Sequence, residues 1–290
     1  MDILICTNGA DYTQPALKAA AELAKQAGSK VDILAVPLQN RRREAEAQVQ
    51  TLVKTLETAN IPIRVIWRTG SLTNYGAHIV NQVQTMREKP YDLVIFGSRG
   101  RRGLVARICG SIASQVTREA PASVLVIKEQ PGRQKKLLLC TSAGPQSEQT
   151  VRFAGKLAPR LDASVTLIHI MSQVPLSDHA TIADLSASAE ELIKRQSREG
   201  AHLSKMAAFL TAKDIDTYTV VRHGLVREEI LAEAREGDYD MIIIGAHSTP
   251  GLYPFLIEDV AHDILLAAEC PVLIVRLQND EQEIEAGSDL

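Results

Sequence analysis

The chain has 290 residues, of which 45% are hydrophobic and 23% are charged, and its formal net charge is −3. This length is sufficient for two domains, each with its own core. No apolar run approaches the roughly 18 residues that a membrane-spanning helix needs. The slightly negative charge gives no support for a nucleic-acid partner. The first residues enter a strand pattern without a signal-peptide signature, so we expect a cytoplasmic protein with no membrane partner.

The first half of the chain alternates apolar runs with segments of helix length. The apolar runs lie at residues 3–6, 31–36, 63–67, 93–96 and 124–127. They are short and rich in Val, Ile and Leu, which is typical of strands buried on both faces of a parallel sheet. The helical segments lie at residues 13–27, 41–59, 72–88 and 111–119. This order predicts an α/β fold, a doubly wound sheet of five parallel strands with helices on both faces.

The second half of the chain repeats the first. Residues 2–8 match residues 136–142, and residues 91–97 match residues 239–245. The offset grows from 134 to 148 residues, so the second copy carries a net insertion of 14 residues. A repeat of this length indicates a tandem duplication of one domain. We expect the second set of strands near residues 137–140, 164–170, 217–222, 241–244 and 272–275.

The insertion and the boundaries follow from the same comparison. The extra residues fall between Ile170 and Asp216, where residues 187–212 have the pattern of one long helix. The predicted organisation is a first domain, a polar linker with a Pro-Gly bend, a second domain and an acidic tail, at residues 1–129, 130–136, 137–278 and 279–290.

A stretch rich in glycine and arginine follows the fourth apolar run. Its spacing is Gly97-x2-Gly100-x9-Gly110-Ser111. Glycines let the backbone approach a ligand closely, and successive exposed N–H groups form an anion site. We expect the next helix to begin at the Gly110-Ser111 pair with Ser111 as its N-cap, which would add free N–H donors that favour phosphate. Four arginines make the neighbourhood cationic: Arg99, Arg101, Arg102 and Arg107. The alternative is a glycine-rich turn with a purely structural role.

This stretch resembles the loop of nucleotide-binding universal stress proteins, which reads G-x2-G-x9-G-[S/T] after the fourth strand. Arg99 stands where that family often has His, and the family's closing Ala-Pro-x-x-Val-Leu-Val is present at residues 120–126. The resemblance covers almost the whole chain. It implies two tandem Rossmann-like (adenine nucleotide alpha hydrolase-like) domains. It also implies a protein that binds ATP or another adenine nucleotide in its first domain and acts as a stress-response sensor or regulator.

The resemblance also implies a set of binding residues. In open α/β sheets, ligands bind beyond the carboxyl ends of the strands, where the strand order reverses. Thr7 and Asn8 would lie near the ribose or base, and Val36 near the adenine. Asn8 replaces the family's usual Asp and brings no charge to hold a cation; a turn and helix cap is the open alternative for this pair. The predicted nucleotide-binding residues are Thr7, Asn8, Val36, Gly97, Ser98, Arg99, Gly100, Arg101, Gly110, Ser111 and Ile112. We expect ATP, with or without Mg²⁺.

The second copy lacks this pattern. Glu258 and Asp259 align with Gly110 and Ser111. Two carboxylates would repel a phosphate, so we expect no nucleotide in the second domain. The preferred interpretation of this acidic pair is that it favours the start of the final helix.

Three histidines of the second copy raise another alternative. One interpretation is a metal or acid–base site built from the acidic pair with His169, His223 and His247. The other is that these histidines are ordinary polar residues near strand ends. No hydrolase motif is present in the sequence, so we predict neither catalytic residues nor metal ligands. A slow ATPase and a scaffold that binds a protein partner without nucleotide remain alternatives.

The remaining expectations concern packing. Cys6, Cys109, Cys140 and Cys270 form no CxxC pair, which favours reduced core thiols, with a redox role for Cys109 as the alternative. Trp67 is expected in the core rather than as a stacking platform. Arginines 41–43 are interpreted as a solvated helix face. The apolar last strands of the two domains are expected to pair within the chain as a pseudo-dimer, with association of chains into a homodimer as a further alternative.

Overall fold

The computed structural model describes residues 1–27, 29–85, 90–98, 104–128, 135–171, 187–246 and 254–276. Within these ranges it describes only the backbone at residues 26–27, 104–111, 145–146 and 254–259. The chain divides into two compact units. The first comprises Met1–Gln130 with Ile274–Leu290, and the second comprises Pro131–Leu273.

The first unit contains a parallel sheet whose strands match the predicted apolar runs. The strands are β1 (Asp2–Thr7), β2 (Lys30–Ala35), β3 (Ile63–Trp67), β4 (Leu93–Gly97) and β5 (Ser123–Ile127). Their order in the sheet is β3-β2-β1-β4-β5, and each neighbouring pair is parallel. Ile5 of β1 lies opposite Ile33 on one side and Ile95 on the other. All three side chains are fully buried, as expected for a sheet covered on both faces.

Helices cover both faces of this sheet. They are α1 (Gln14–Ala27), α2 (Arg42–Glu57), α3 (Tyr75–Thr85) and α4 (Leu104–Glu119), and a short 3-10 turn (Asp11–Thr13) precedes α1. Helix α1 contacts α2, and α3 contacts α4. Right-handed crossovers that move in opposite directions along a sheet place their helices on opposite faces. The first pair therefore covers one face and the second pair covers the other, which confirms the predicted fold class.

The second unit repeats this architecture. Its strands are β6 (Lys136–Thr141), β7 (Ser164–Met171), β8 (Thr217–His223), β9 (Met241–Gly245) and β10 (Val272–Val275), the last of which crosses the unit boundary. Their order is β10-β9-β6-β7-β8. The helices are α5 (Pro145–Leu161), α6 (Ala189–Lys194), α7 (Arg198–Thr211), α8 (Val226–Glu236) and α9 (Pro254–Ala267). The equivalent strand order confirms the tandem duplication.

The prediction of one long helix over residues 187–212 is wrong, because the segment forms two helices, α6 and α7. Between them Gln196 adopts a left-handed conformation with φ 54°. Ser197 then caps α7 by accepting a hydrogen bond from the N–H of Gly200 at 3.0 Å. A Cβ on Gly200 would lie 2.0 Å from the carbonyl oxygen of Leu192, so only glycine allows the two helices to meet this closely. This reversal folds α6 back against α7.

The described cysteines are free thiols, as the sequence predicts. Cys6, Cys140 and Cys270 form no disulfide. Burial raises the pKa of the Cys6 thiol and, together with the nearby Cys270, that of the Cys140 thiol well above its ordinary value. The side chain of Cys109 lies outside the described residues, so its redox alternative stays untested. Among the helices that the structure describes, none is both long and apolar enough to cross a membrane.

Trp67 is half-buried and not a core residue, so that prediction is wrong. It ends β3, which is the edge strand among the strands described in the first unit. The guanidinium of Arg42 lies 5.4 Å from the centroid of its ring. Arg42 also pairs with Glu46 one turn later at 2.9 Å, as expected for a solvated charged face.

Candidate functional site

The strand order of the first unit defines one switch point, at the carboxyl ends of β1 and β4. The chain moves outward from β1 through β2 to β3, and then returns to place β4 on the other side of β1. The loop after β1 begins at Asn8, and the loop after β4 begins at Ser98, whose N–H donates to the carbonyl oxygen of Ile127 at 2.9 Å. The two predicted binding loops therefore start at neighbouring strand ends, where open α/β sheets bind ligands.

Thr7 anchors a buried hydrogen-bond cluster at this edge. Its hydroxyl donates to Oε1 of Gln48 on α2 at 2.7 Å and lies 3.0 Å from the hydroxyl of Thr13. The amide nitrogen of Gln48 donates to the carbonyl oxygen of Ala10 at 3.1 Å. All four residues are buried, and Thr7 and Thr13 are 0% exposed. The cluster fastens α2 to the end of β1, so Thr7 has a structural role in this conformation.

Asn8 is also fully buried and bonded within its own loop. Its Oδ1 accepts from the N–H of Ala10 at 3.1 Å, and its Nδ2 donates to the hydroxyl of Tyr12 at 2.5 Å. The first of these bonds is an Asx turn, as in the turn alternative. Neither Thr7 nor Asn8 reaches the surface, so a ligand role for this pair requires residues 8–13 to move.

Gly97 is required by packing, whether or not a ligand binds. A Cβ at this position would lie 2.6 Å from the carbonyl oxygen of Tyr12 and 2.8 Å from the Cα of Thr13. The 3-10 turn therefore rests directly on the end of β4. Gly9 is constrained in a similar way, since its φ is +81° and a Cβ would lie 2.6 Å from the carbonyl oxygen of Arg41.

The start of α4 corrects the predicted phosphate cradle. The helix begins at Leu104, so Gly110 and Ser111 lie well inside it, and the prediction of Ser111 as the N-cap is wrong. Residues 104–107, Leu-Val-Ala-Arg, include strong helix formers, and one interior glycine costs a helix only about 1 kcal/mol. The first four N–H groups of a helix lack intrahelical partners, so the free donors belong to residues 104–107. The predicted residues Arg99, Gly100 and Arg101 lie outside the described residues.

Three further predicted binding residues are described, two at the carboxyl edge of the sheet and one between helices. Val36 and Ser98 follow β2 and β4 and are 1% and 6% exposed. The N–H of Val36 donates to the carbonyl oxygen of Thr7 at 2.9 Å, which continues the sheet beyond the strands. Ile112 is buried where α4 meets α3: its Cγ2 would lie 3.6 Å from a Cβ on Gly76. Val36 and Ser98 therefore lie at the carboxyl edge of the sheet, whereas Ile112 lies in a packing position.

Two residues at the carboxyl edge were missed by the sequence analysis. Lys128 directly follows β5 and is only 7% exposed, although it lies just before the polar linker. A lysine is rarely buried to this degree, so this amine beside the end of β4 is an unusual feature of the edge. Tyr75, the first residue of α3, is 1% exposed, and its hydroxyl has no hydrogen-bond partner among the described residues. Burial raises its pKa, so the hydroxyl stays neutral.

The second unit has a different edge. Helix α9 begins at Pro254, and its first turn holds no acidic residue. Glu258 and Asp259 therefore lie beyond the first turn, and the expectation that they favour the helix start is wrong. His247 lies outside the described residues. Among the described residues, no group of three His, Cys, Asp or Glu side chains could hold a metal ion.

The sequence profile of the universal stress protein family matches residues 1–128 and again residues 134–276. A universal stress protein of Methanocaldococcus jannaschii is 24% identical over 156 residues, which are 54% of this chain and 90% of that protein. Universal stress protein G of Shigella flexneri is 30% identical over 131 residues, 45% of this chain and 89% of that protein.

Two solved structures have a similar fold over nearly the whole chain. A universal stress protein from Archaeoglobus fulgidus superposes with a TM-score of 0.63 at 15% identity, covering 95% of this chain and 98% of that one. A putative universal stress protein from Pseudomonas aeruginosa gives a TM-score of 0.66 at 16% identity, covering 98% of this chain and 96% of that one.

Proposed function

Because the chain belongs to the universal stress protein family, we propose that its first unit binds an adenine nucleotide, in the first instance ATP. The nucleotide binds at the carboxyl edge of the first sheet. The protein then acts as a sensor or regulator in a stress response, since the sequence holds no motif for fast turnover.

The observation that carries this proposal is where β4 ends and where α4 begins. Residues 99–103 connect the end of β4 to the start of α4, and β4 lies beside β1 at the switch point. A phosphate at this place would meet the free N–H groups of residues 104–107 and the partial positive charge of the helix N-terminus. Lys128 is buried at the end of the adjacent β5 and lies at the same edge.

The first loop does not fit a protein-held Mg²⁺. Magnesium prefers carboxylates and phosphate oxygens. Asn8 is neutral, and its Oδ1 already accepts a hydrogen bond from Ala10. We therefore assign no Mg²⁺ ligand to the chain, and the proposal requires none.

Calorimetry on the full chain tests the proposal with ATP, ADP and AMP. We expect one nucleotide per chain, because the second unit carries Glu258 and Asp259 where the first carries Gly110 and Ser111. Replacing Arg99 and Arg101 together by Ala should weaken ATP binding at least about tenfold, since a hydrogen bond to a charged group contributes about 1.5–3 kcal/mol.

The matched control removes two positive charges from the opposite edge. Lys25 and Lys54 are exposed near the carboxyl ends of α1 and α2, which return to the amino-terminal edge of the sheet. Replacing both by Ala should leave ATP affinity unchanged. If both double variants weakened ATP binding equally, the effect would be due to net charge alone. If the chain bound none of the three nucleotides, the proposal would be overturned.

A second candidate is a scaffold that binds a protein partner without nucleotide. It is favoured by the complete burial of Thr7 and Asn8, whose polar atoms are bonded inside the unit. This candidate predicts no thermal shift with ATP. The slow ATPase is a third, and it requires phosphate release that disappears in the Arg99 and Arg101 double variant.

We also propose that the last strands of the two domains pair within the chain as a pseudo-dimer. Residues Ile274–Leu290 group with the first unit. In that unit the N–H of Arg276 donates to Oγ of Ser123 at 3.1 Å, and its guanidinium donates to the carbonyl oxygen of Thr117 at 2.6 Å. A monomeric mass by light scattering is the expected result, and a dimeric mass would support the homodimer.

A further inference from the structure

Both units fasten a helix to the end of their first strand, but with different residues. In the first unit, Oε1 of Gln48 on α2 accepts a hydrogen bond from the hydroxyl of Thr7 at 2.7 Å. In the second unit, the hydroxyl of Thr141 lies 2.8 Å from Nε2 of His202 on α7 and 2.5 Å from the hydroxyl of Ser147. Each helix follows the second strand of its unit. The second unit therefore has a titratable imidazole where the first has an amide that stays neutral at any physiological pH.

The same imidazole belongs to a segment that covers the strand ends of the second unit. Residues 187–202 comprise α6, the reversal and the first turns of α7. Met171, at the end of β7, packs with Ala187 and Leu192 in a buried cluster that also contacts Val221 of β8. The guanidinium of Arg198 donates to the carbonyl oxygen of Ala143, in the loop after β6, at 3.0 Å. The segment is thus attached to the carboxyl ends of β6, β7 and β8.

Histidines lie where this segment contacts the strand ends. His223 ends β8, and its Nε2 donates to the carbonyl oxygen of Ala187 at 2.9 Å. Its Nδ1 is buried and has no hydrogen-bond partner in the described part of the chain. His169 on β7 is 9% exposed, and its Nδ1 donates to the carbonyl oxygen of Thr141 at 3.1 Å. Three imidazoles from β7, β8 and α7 therefore converge on one edge.

The charged groups around His169 and His202 do not offset the cost of protonating these buried imidazoles. Burial lowers the pKa of His169 most, and the neighbouring His223 lowers it further. The hydrogen bond to the carbonyl oxygen of Thr141 and the charge of Glu199 on α7 raise it, but the net shift is downward. Burial also lowers the pKa of His202. The charge of Glu148 on α5 raises the pKa of His202. His169 lowers it, and so do two cations of α7, Lys205 and Arg198. Glu148 is itself paired with Lys205 at 2.7 Å, so its charge is already partly neutralised.

We propose that residues 187–202 are a proton-sensitive latch, which closes the carboxyl edge of the second unit at neutral pH and releases it on acidification. A proton added to His169 or His202 creates a cation in a poorly hydrated place beside other imidazoles. Release of the segment hydrates that cation. The latch is independent of nucleotide binding in the first unit.

The direction of the pH effect follows from linkage. In the released segment a histidine has its ordinary pKa of 6.5, and in the closed segment the pKa of His169 and His202 is lower. The released form therefore binds more protons below pH 6.5, and the closed form is favoured above it. Closure is lost as the pH falls from about 6.5 towards the lowered values.

Hydrogen exchange of the full chain at pH 7.5 and pH 5.5 tests the latch, after correction for the intrinsic pH dependence of exchange. We expect a loss of protection in residues 187–202 at pH 5.5, while β6 and β7 stay protected. Helix α2 of the first unit, held by Gln48, should keep its protection at both pH values.

The two units supply reciprocal variants. His202→Gln installs the side chain that the first unit uses, and it should reduce the acid-induced loss of protection. Gln48→His should make α2 sensitive to pH. The wild-type measurement needs no variant: equal protection of residues 187–202 at both pH values would overturn the latch. So would simultaneous loss of protection in β6 and β7, because it would indicate unfolding of the whole unit.

Discussion

The hydroxyl of Tyr91 donates a hydrogen bond of 2.5 Å to the carboxylate of Asp32, fifty-nine residues earlier in the chain. Asp32 lies on β2, and its side chain is only 6% exposed. Asp32 also accepts a hydrogen bond from Arg64 of the neighbouring edge strand, whose Nε lies 3.2 Å from Oδ1. A buried carboxylate is tolerated only when such partners satisfy it. This contact therefore fixes the segment that leads into β4 against the outer half of the sheet.

Replacing Tyr91 by Phe should destabilise the first unit by about 1.5–3 kcal/mol, because the substitution removes a hydrogen bond to a buried charge. Urea unfolding followed by circular dichroism measures the change. Tyr218→Phe is the matched control, since Tyr218 is 61% exposed and its substitution should change stability by less than about 0.5 kcal/mol. Equal stability of the two variants would show that the Asp32 contact contributes little.

Replacing Gly97 by Ala should destabilise the first unit by about 1–3 kcal/mol, the usual effect of forcing an extra methyl into a packed site. The new Cβ would lie 2.6 Å from the backbone oxygen of Tyr12, which cannot rotate away. Gly144→Ala is the control, because no atom lies within 4 Å of its Cβ position and its φ is −142°. If both variants were as stable as the wild type, Gly97 would not be a packing residue.

Thr7→Val removes the hydroxyl while keeping the branched shape of the side chain. We expect a loss of about 1–3 kcal/mol, since the buried Oε1 of Gln48 loses its shorter hydrogen bond. Thr51→Val on the exposed side of α2 should change the free energy of unfolding by less than about 0.5 kcal/mol. Retained stability together with lost nucleotide affinity would instead assign Thr7 to the ligand.

Cys6 should be unreactive towards thiol reagents in the folded protein. Its side chain is 0% exposed, and burial raises its pKa well above the ordinary value, so the reactive thiolate is scarce at neutral pH. Modification followed by mass spectrometry should label Cys6 only in urea, whereas the partly exposed Cys270 should react earlier. Rapid labelling of Cys6 in buffer would show that β1 opens locally.

The elements that the sequence predicts well are those fixed by local pattern. Apolar runs such as residues 93–96 became buried strands, because strands covered on both faces select Val, Ile and Leu continuously. The start of α4 was misplaced, because the glycine and serine at 110–111 resemble a helix boundary while the residues before them favour helix. The sequence also left the role of Asn8 open, because a turn and a ligand contact would use the same polar atoms of its side chain.

The sequence by itself determined the duplicated α/β architecture, the strand runs and the family, because hydrophobic pattern and motif spacing are written along the chain. Tertiary structure alone decided that Thr7 and Asn8 are enclosed, that Tyr91 satisfies Asp32, and that three histidines meet beneath one segment. These features depend on contacts between residues tens of positions apart. Local propensity carries no information about such contacts, since burial and hydrogen-bond partners are set only when the strands and helices have packed.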